Sequence, residues 1–286
     1  MTGDFALAAT VTKADGSKQL FDKAKVVQTC LRMGADRYTA YEVAEKVERR
    51  IYDGMPTRVV LQLIFAYLRR YRPAVRHVFD LRRGISIMEP KPEFEAFIRI
   101  LLAHNGFEVT PNQILRGRCS EHEVDAVAKK DGALYFVEVK HHYSYHALTG
   151  LDESRIAWAV LEDVGDAFAS GLADVRIDRA MIVTNTRYSD HAVQYGACKE
   201  IMQIGWSSPQ YIGIQDMVEA GKLYPLSCLR GLRVEDRLRL VNAGFVLIKQ
   251  LLDTEASTIA AKTGLPQETV FSIIEKSQHS LNTLWQ

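Results

Sequence analysis

The stretch HEVDAVAKKDGALYFVEVKHH, residues 122–142, sets strongly polar residues inside two runs that otherwise read as apolar strands. Asp131-Gly132 in its middle is the preferred pair for a two-residue hairpin loop, because both positions of the favoured turn need positive φ. With those two residues as the loop, Lys130 lies opposite Ala133. Counting outward, Asp125 falls across from Glu138 and Glu123 across from Lys140. Period-two alternation places all four on one face, with opposed Cβ atoms roughly 4.5–5.5 Å apart. Two carboxylates that close repel, and burying them is unfavourable unless a cation shares them. A divalent metal is the simplest such cation. Magnesium takes oxygen ligands, keeps several waters and commonly adds one or two protein carboxylates to substrate phosphates. Lys140 would point at the same site, there to stabilise developing charge on a phosphorus or to help deprotonate a water. Spacing alone leaves open a blander arrangement, a Glu123–Lys140 surface ion pair with Asp125 and Glu138 solvated, since antiparallel sheets often keep one wet face.

The rest of the composition narrows the class without naming a chemistry. The 286 residues suffice for one large domain or two to three small ones, and 47% hydrophobic with 25% charged residues is an ordinary globular mix. Thirty-six basic against 35 acidic residues leave +1, so nucleic-acid binding needs a local basic patch rather than a global field. Cys30, Cys119, Cys198 and Cys228 form no CxxC pair, which argues against a zinc finger and for reduced thiols. The opening MTGDFALAATVTKADG lacks the apolar core of a secretory signal, and no run of 18 apolar residues occurs. A soluble, cytoplasmic protein with no membrane partner is expected.

Three segments are predicted. Residues 1–88 show a strand near 8–12, a turn at Asp15-Gly16 and helices near 22–33, 38–53, 57–71 and 74–83. The proline-marked MEPKPEFE (88–95) begins a second segment, 89–225. It holds a helix at 93–105, the hairpin, a helix near 152–170, a strand at 179–184, a helix near 189–202 and a strand near 210–214. Such alternation points to an α/β sheet covered on both faces. Residues 226–286 read as all helical.

An acid on one strand, a loop and then Glu-x-Lys on the next strand resembles the PD-(D/E)XK nuclease superfamily, here through Asp125 and EVK, Glu138 to Lys140. The surroundings resemble its Mrr-type restriction endonuclease branch. Phe94-Glu95 matches a helix step, Gly106-Phe107 a strand start, and AMIVTNTRYSDHAVQYG (180–196) the strand and helix after the core. The resemblance covers about residues 93–215. It implies a central mixed sheet flanked by helices, an α/β restriction-endonuclease-like fold. It also implies catalytic roles for Glu95, Asp125, Glu138 and Lys140, with Mg2+ (or Mn2+) on Asp125, Glu138 and the Val139 carbonyl. Many Mrr-type sequences have Gln where Glu138 stands; the acid favours metal binding. HHYSYH (141–146) has no tetrahedral metal spacing. It is read as a loop at the mouth of the site, with a direct part for His141 or His142 the less favoured option. His122 is read as structural, and Glu123 as a residue that tunes the site or is simply solvated.

The first segment resembles the ATP-cone, a small nucleotide-sensing domain, through VTKADGSKQLFDKAKVVQTCLRMG (11–34), YDGMPT (52–57) and VFDLRR (78–83). That likeness implies an ATP or dATP effector on Lys13, Lys25, Thr57, Phe79 and Arg83. Arg83 replaces a usual lysine, and Leu61 stands where some members carry a polar base contact. No GxxxxGK[ST] run occurs, so a bound nucleotide is read as a signal rather than a fuel. The last segment is similar to helix-hairpin-helix modules. Gly231 and Gly264 mark its hairpins, and Arg230, Arg233, Arg237, Arg239 and Lys262 supply basic support for DNA phosphates.

The combined expectation is a metal-dependent endonuclease acting on double-stranded DNA, controlled by an adenine nucleotide, working as a homodimer or larger homo-oligomer in restriction of foreign DNA. The alternative is a nucleotide-responsive DNA-binding regulator whose nuclease core does not cut. RNA as substrate also stays open.

Overall fold

The computed structural model describes residues 9–13, 16–33, 35–71, 81–209 and 212–284. The chain divides into two compact units, residues 1–79 with 272–286, and residues 80–271.

In the first unit, β1 (Thr10–Thr12) pairs antiparallel with β2 (Lys18–Leu20) and parallel with β3 (Met55–Pro56). The helices α1 (Lys23–Arg32), α2 (Arg37–Glu48) and α3 (Thr57–Tyr71) accompany this small sheet. Asp22 and Asp36 cap the first two helices by accepting the Ala24 and Thr39 amide N–H groups, satisfying donors that a helix start leaves open. Val26, Val27 and Cys30 on α1, Val43 and Val47 on α2, and Ile64 and Leu68 on α3 close a core with Val11 of β1.

The second unit begins with α4 (Leu81–Ser86). A π-helical turn at Pro90–Phe94 runs directly into α5 (Glu95–His104). Then come β4 (Glu108–Arg116), β5 (Glu121–Lys130), β6 (Ala133–Lys140), β7 (Leu148–Thr149) and the long α6 (Leu151–Ala169). After these follow β8 (Arg179–Thr184), β9 (Arg187–Tyr188), α7 (Asp190–Cys198), β10 (Met202–Ile204) and α8 (Ile214–Gly221). A 3-10 turn at Leu226–Cys228 leads to α9 (Val234–Asn242), α10 (Ile248–Leu252) and α11 (Ala256–Thr263), and α12 (Gln267–Leu284) begins in this unit, its residues from 272 on belonging to the first.

The main sheet has the order β10-β8-β6-β5-β4. The two hairpin pairings are antiparallel and the two crossovers, β6 to β8 and β8 to β10, are parallel. This is the mixed α/β sheet anticipated for residues 89–225. On one face Phe97, Ile98, Leu101 and Leu102 of α5 pack on Ala126, Ala128, Val137 and Met181. On the other, Ala157 and Val164 of α6 pack on Phe136, Ala180 and Ile182. Asp131 and Gly132 have φ of 51° and 82°, the positive values their two-residue loop needs, and Lys130 pairs with Ala133 as counted.

Three expectations differ. Among the described residues no strand is found near 210–214: residues 210 and 211 lie outside the described set, Ile214 opens α8, and the sheet takes Met202–Ile204. The helix predicted through 202 stops at Cys198, and Glu200 takes φ 53° ahead of the strand. Glu123 does not face Lys140; it is exposed and pairs with Ile114 of β4. The predicted ATP-cone helix at 74–83 falls largely on residues outside the described set, as does Phe79.

Candidate active site

The β5–β6 ladder ends at Ala126 and Val137, one step before the acids. Strict alternation would put Val124 with Ala126 and Ala128, yet Val124 belongs to the α6 side of the sheet and the two alanines to the α5 side. The strand therefore changes phase at Asp125. On β4, Asn112 takes φ 48° between the paired positions Pro111–Ala126 and Gln113–Val124. Freed from regular pairing, Asp125 turns its carboxylate to the backbone, and Oδ2 accepts the Val139 N–H at 2.7 Å.

Its other oxygen meets the start of α5. Lys91 Nζ lies 3.1 Å from Asp125 Oδ1 and 3.0 Å from Glu95 Oε1. Glu95 Oε2 lies 3.8 Å from Arg99 Nη1, one helical turn on. Glu95 is buried, and its carboxyl is pushed above the ordinary range by burial, with the charge of Asp125 adding to the rise and the Lys91 hydrogen bond opposing it.

The second half of the site faces α6. Lys140 Nζ donates to Glu138 Oε1 at 2.9 Å and lies 3.3 Å from Glu153 Oε2 in the first turn of that helix. Burial also raises Glu138, opposed by the Lys140 hydrogen bond and reinforced by the nearby charges of Asp125 and Glu153. For Lys140, burial works against the charged form. The Glu138 hydrogen bond and the charges of Glu138 and Glu153 outweigh it, and the ammonium is held above its usual value.

Two acid–ammonium clusters thus flank the end of the β5–β6 pair, rather than gathering on the one face expected. Asp125 sits with Glu95 and Lys91 toward α5, and Glu138 with Lys140 and Glu153 toward α6. The Asp125 charge still reaches Glu138. Among the described residues, no group of three or more His, Cys, Asp or Glu side chains forms a ready metal cage. Asp125 and Glu138 offer oxygen donors of the kind magnesium takes, one or two carboxylates combined with waters and substrate oxygens. The carboxylates also fit a cation locally, since Glu95 and Asp125 already share one positive charge, that of Lys91.

The histidine loop lines this ground. His141 Nε2 contacts the Ile85 carbonyl oxygen at 3.0 Å, and its ring meets Phe94 and Tyr143 edge-on. Burial lowers the proton affinity of both His141 and His142. The Asn185 side chain clamps the His142 backbone, with Oδ1 accepting its N–H at 2.8 Å and Nδ2 donating to its carbonyl at 2.7 Å. His122 Nε2 bonds Asp163 Oδ2 at 2.8 Å, and Asp163 also accepts the Cys119 and Ser120 amides, so this histidine closes the β4–β5 turn.

Lys91, Glu153 and Asp163 were not singled out by sequence reasoning. Lys91 stands one turn ahead of Glu95, and Glu153 opens the helix after the EVK strand. Both positions carried a signal; Asp163 is distant in sequence and carried none. Of the nucleotide candidates, Lys13 and Lys25 are exposed and Thr57 opens α3 half-buried in the first unit, whereas Arg83 is exposed on α4 in the second. Arg237 does not offer basic support for DNA: it is buried, 3.0 Å from buried Glu93, and donates to the Ile87 carbonyl.

Comparison with known proteins bears on this constellation. Residues 86–204 match the family model described as restriction endonuclease, of the Mrr catalytic type. An uncharacterized protein of Archaeoglobus fulgidus is 36% identical over 152 residues, which is 53% of this chain and 82% of the relative. A second uncharacterized protein of that organism is 49% identical over 39 residues, 14% of this chain and 83% of its own length. A crystal structure of a protein of unknown function matches with a TM-score of 0.58 at 28% identity, covering 71% of this chain and 99% of that one.

Proposed function

Because this chain belongs, through residues 86–204, to the Mrr-type restriction endonuclease family, we propose that it is a metal-dependent endonuclease that hydrolyses phosphodiester bonds of DNA. Asp125 and Glu138, with the Val139 carbonyl, are the proposed holders of Mg2+ or Mn2+. When bound, the ion supplies Lewis-acid polarisation of the scissile phosphate and acidifies a water.

The chain's own groups divide the remaining work. Lys140, 2.9 Å from Glu138 and 3.3 Å from Glu153, is placed to present positive charge to the phosphate and to orient or help deprotonate the attacking water. The Asp125–Val139 bond fixes one carboxylate oxygen and leaves the other toward Glu95. Glu95, buried at the start of α5, completes the acidic wall. The observation that carries the reading is the Lys140 ammonium shared by Glu138 and Glu153 on the strand next to Asp125.

Incubation of supercoiled plasmid with the protein and Mg2+, beside the Lys140→Ala protein, tests it. Nicking that disappears in the variant supports the enzyme. Retarded but uncut plasmid with both proteins supports a DNA-binding regulator.

Finer roles belong to the same proposal. ATP or dATP is the proposed effector of the first unit, at Lys13, Lys25 and Thr57, and addition of either nucleotide to the plasmid assay reads its effect. Gly231 and Gly264, with φ of 73° and 67°, close the turns that would offer backbone to DNA phosphates, now without Arg237. Double-strand cleavage by a one-strand site favours a homodimer or larger assembly, and restriction of foreign DNA is the setting the family suggests.

A further inference from the structure

Lys91 lies inside the turn ahead of α5 with an extended backbone, φ −126° and ψ 136°, where its neighbours are helical. That local departure brings its ammonium between two acids on different elements, 3.0 Å from Glu95 and 3.1 Å from Asp125. The side chain is otherwise open, 63% exposed, while the two carboxylates it joins are 8% and 11% exposed.

A small divalent ion needs carboxylate oxygens at roughly 2.0–2.1 Å. It cannot take the Asp125 oxygen that an ammonium already holds without repelling that ammonium. Glu89, two residues earlier, already accepts the Tyr143 hydroxyl at 3.1 Å. The new anions arriving at a metal-loaded nuclease site are the phosphates of its substrate. We propose that Lys91 is a substrate-binding residue held in reserve: its ammonium neutralises Glu95 and Asp125 until a divalent ion displaces it, and it then binds a DNA phosphate at the mouth of the site. This inference rests on the metal-holding role given above to Asp125.

The full-length chain tests it by Mn2+ titration, followed calorimetrically and by electron paramagnetic resonance, on wild type, Lys91→Met and Asp125→Asn. Removing the competing charge makes Mn2+ binding to Lys91→Met about tenfold tighter, and Asp125→Asn abolishes binding. DNA affinity is then measured against salt concentration with Ca2+ present. The slope of log affinity on log salt becomes shallower by about 0.9 in Lys91→Met, the signature of one lost phosphate contact. Lys91→Arg keeps the wild-type slope, and in EDTA wild type and Lys91→Met have equal slopes. A Lys91→Met protein that binds Mn2+ no tighter than wild type, while Asp125→Asn has lost it, overturns the reserve role alone. Unaltered Mn2+ binding in Asp125→Asn overturns the metal reading instead. An unchanged salt slope in Lys91→Met overturns the phosphate contact. Far-ultraviolet circular dichroism establishes that each variant is folded.

Discussion

Asp125 accepts the Val139 amide at 2.7 Å, so a side chain takes over from the ladder where β5 and β6 stop pairing. One carboxylate is therefore both a structural acceptor and a candidate ligand, and the two roles separate by substitution. Asp125→Ala leaves the Val139 N–H without its acceptor, lowering stability by about 1–2 kcal/mol, and removes plasmid nicking. Asp125→Asn keeps a carbonyl oxygen for that amide while losing the charge. It is expected to recover most of the stability in chemical denaturation and none of the nicking. Equal destabilisation of the two variants would show that the hydrogen bond contributes nothing.

Lys140 separates charge from basicity. Its proton affinity is raised above the usual 10.5 by Glu138 and Glu153 despite opposing burial. The stabilising contribution of a lysine shifted this way is fully present below 10.5 and is lost only as pH rises through the folded value. Throughout the neutral range the group is an ammonium. Lys140→Arg, which keeps the charge, should retain measurable nicking, reduced by about 10–100-fold, whereas Lys140→Met should retain none. An arginine variant as dead as the methionine one would assign Lys140 the role of base.

Asp163 gives a pH dependence of opposite sign. The His122 hydrogen bond and the Cys119 amide hold its carboxyl well below the ordinary 3.8. The contribution of a carboxylate with a depressed value is complete above 3.8 and disappears as pH falls through the folded value. Melting temperatures of wild type and Asp163→Asn are expected to differ most above about pH 5 and to converge as pH falls below 3.8. A constant gap down to pH 2 would assign the effect to shape rather than charge. The same carboxylate crowds Gly117, where an added Cβ would sit 2.0 Å from Asp163 Oδ2 and 2.5 Å from the Ser120 carbonyl oxygen. Gly117→Ala should therefore destabilise by about 1–3 kcal/mol.

The hairpin was legible because its register is local: Asp131-Gly132 needs positive φ, and every pair from Lys130–Ala133 to Ala126–Val137 follows by counting. Counting failed at the next step, because the phase change at Asp125 is set by Val139 and by the α5 turn, neither of which a two-residue period contains. Lys91 and Glu153 are neighbours of the motif only once α5 and α6 dock on opposite faces of the sheet. β4 was poorly legible because it is an edge strand: Pro111 is tolerated there, and its mostly exposed residues show little apolar alternation. The strand at Met202–Ile204 was hidden by its brevity and by the helical pattern running into it.

Arg237 was expected to reach for DNA; it is instead 4% exposed against Glu93, which is fully buried. Nε and Oε1 approach to 3.0 Å without the alignment of a hydrogen bond, so their attraction is chiefly coulombic. Each partner has one backbone anchor: Arg237 donates to the Ile87 carbonyl, and Glu93 accepts the Glu89 amide. Burial raises the Glu93 carboxyl despite the facing guanidinium, a sign that desolvation outweighs the attraction. Breaking one side strands a buried charge. Glu93→Ala and Arg237→Ala are each expected to destabilise by about 3–5 kcal/mol, whereas a Glu93→Leu, Arg237→Met pair should lose far less. Because Glu93 lies in the turn that delivers Lys91 and Glu95, the single variants should also weaken Mn2+ binding, and the apolar pair should restore part of it. Urea denaturation and Mn2+ titration of the four proteins measure both effects. Additive losses in the double variant would show that α9 does not hold the turn through this pair.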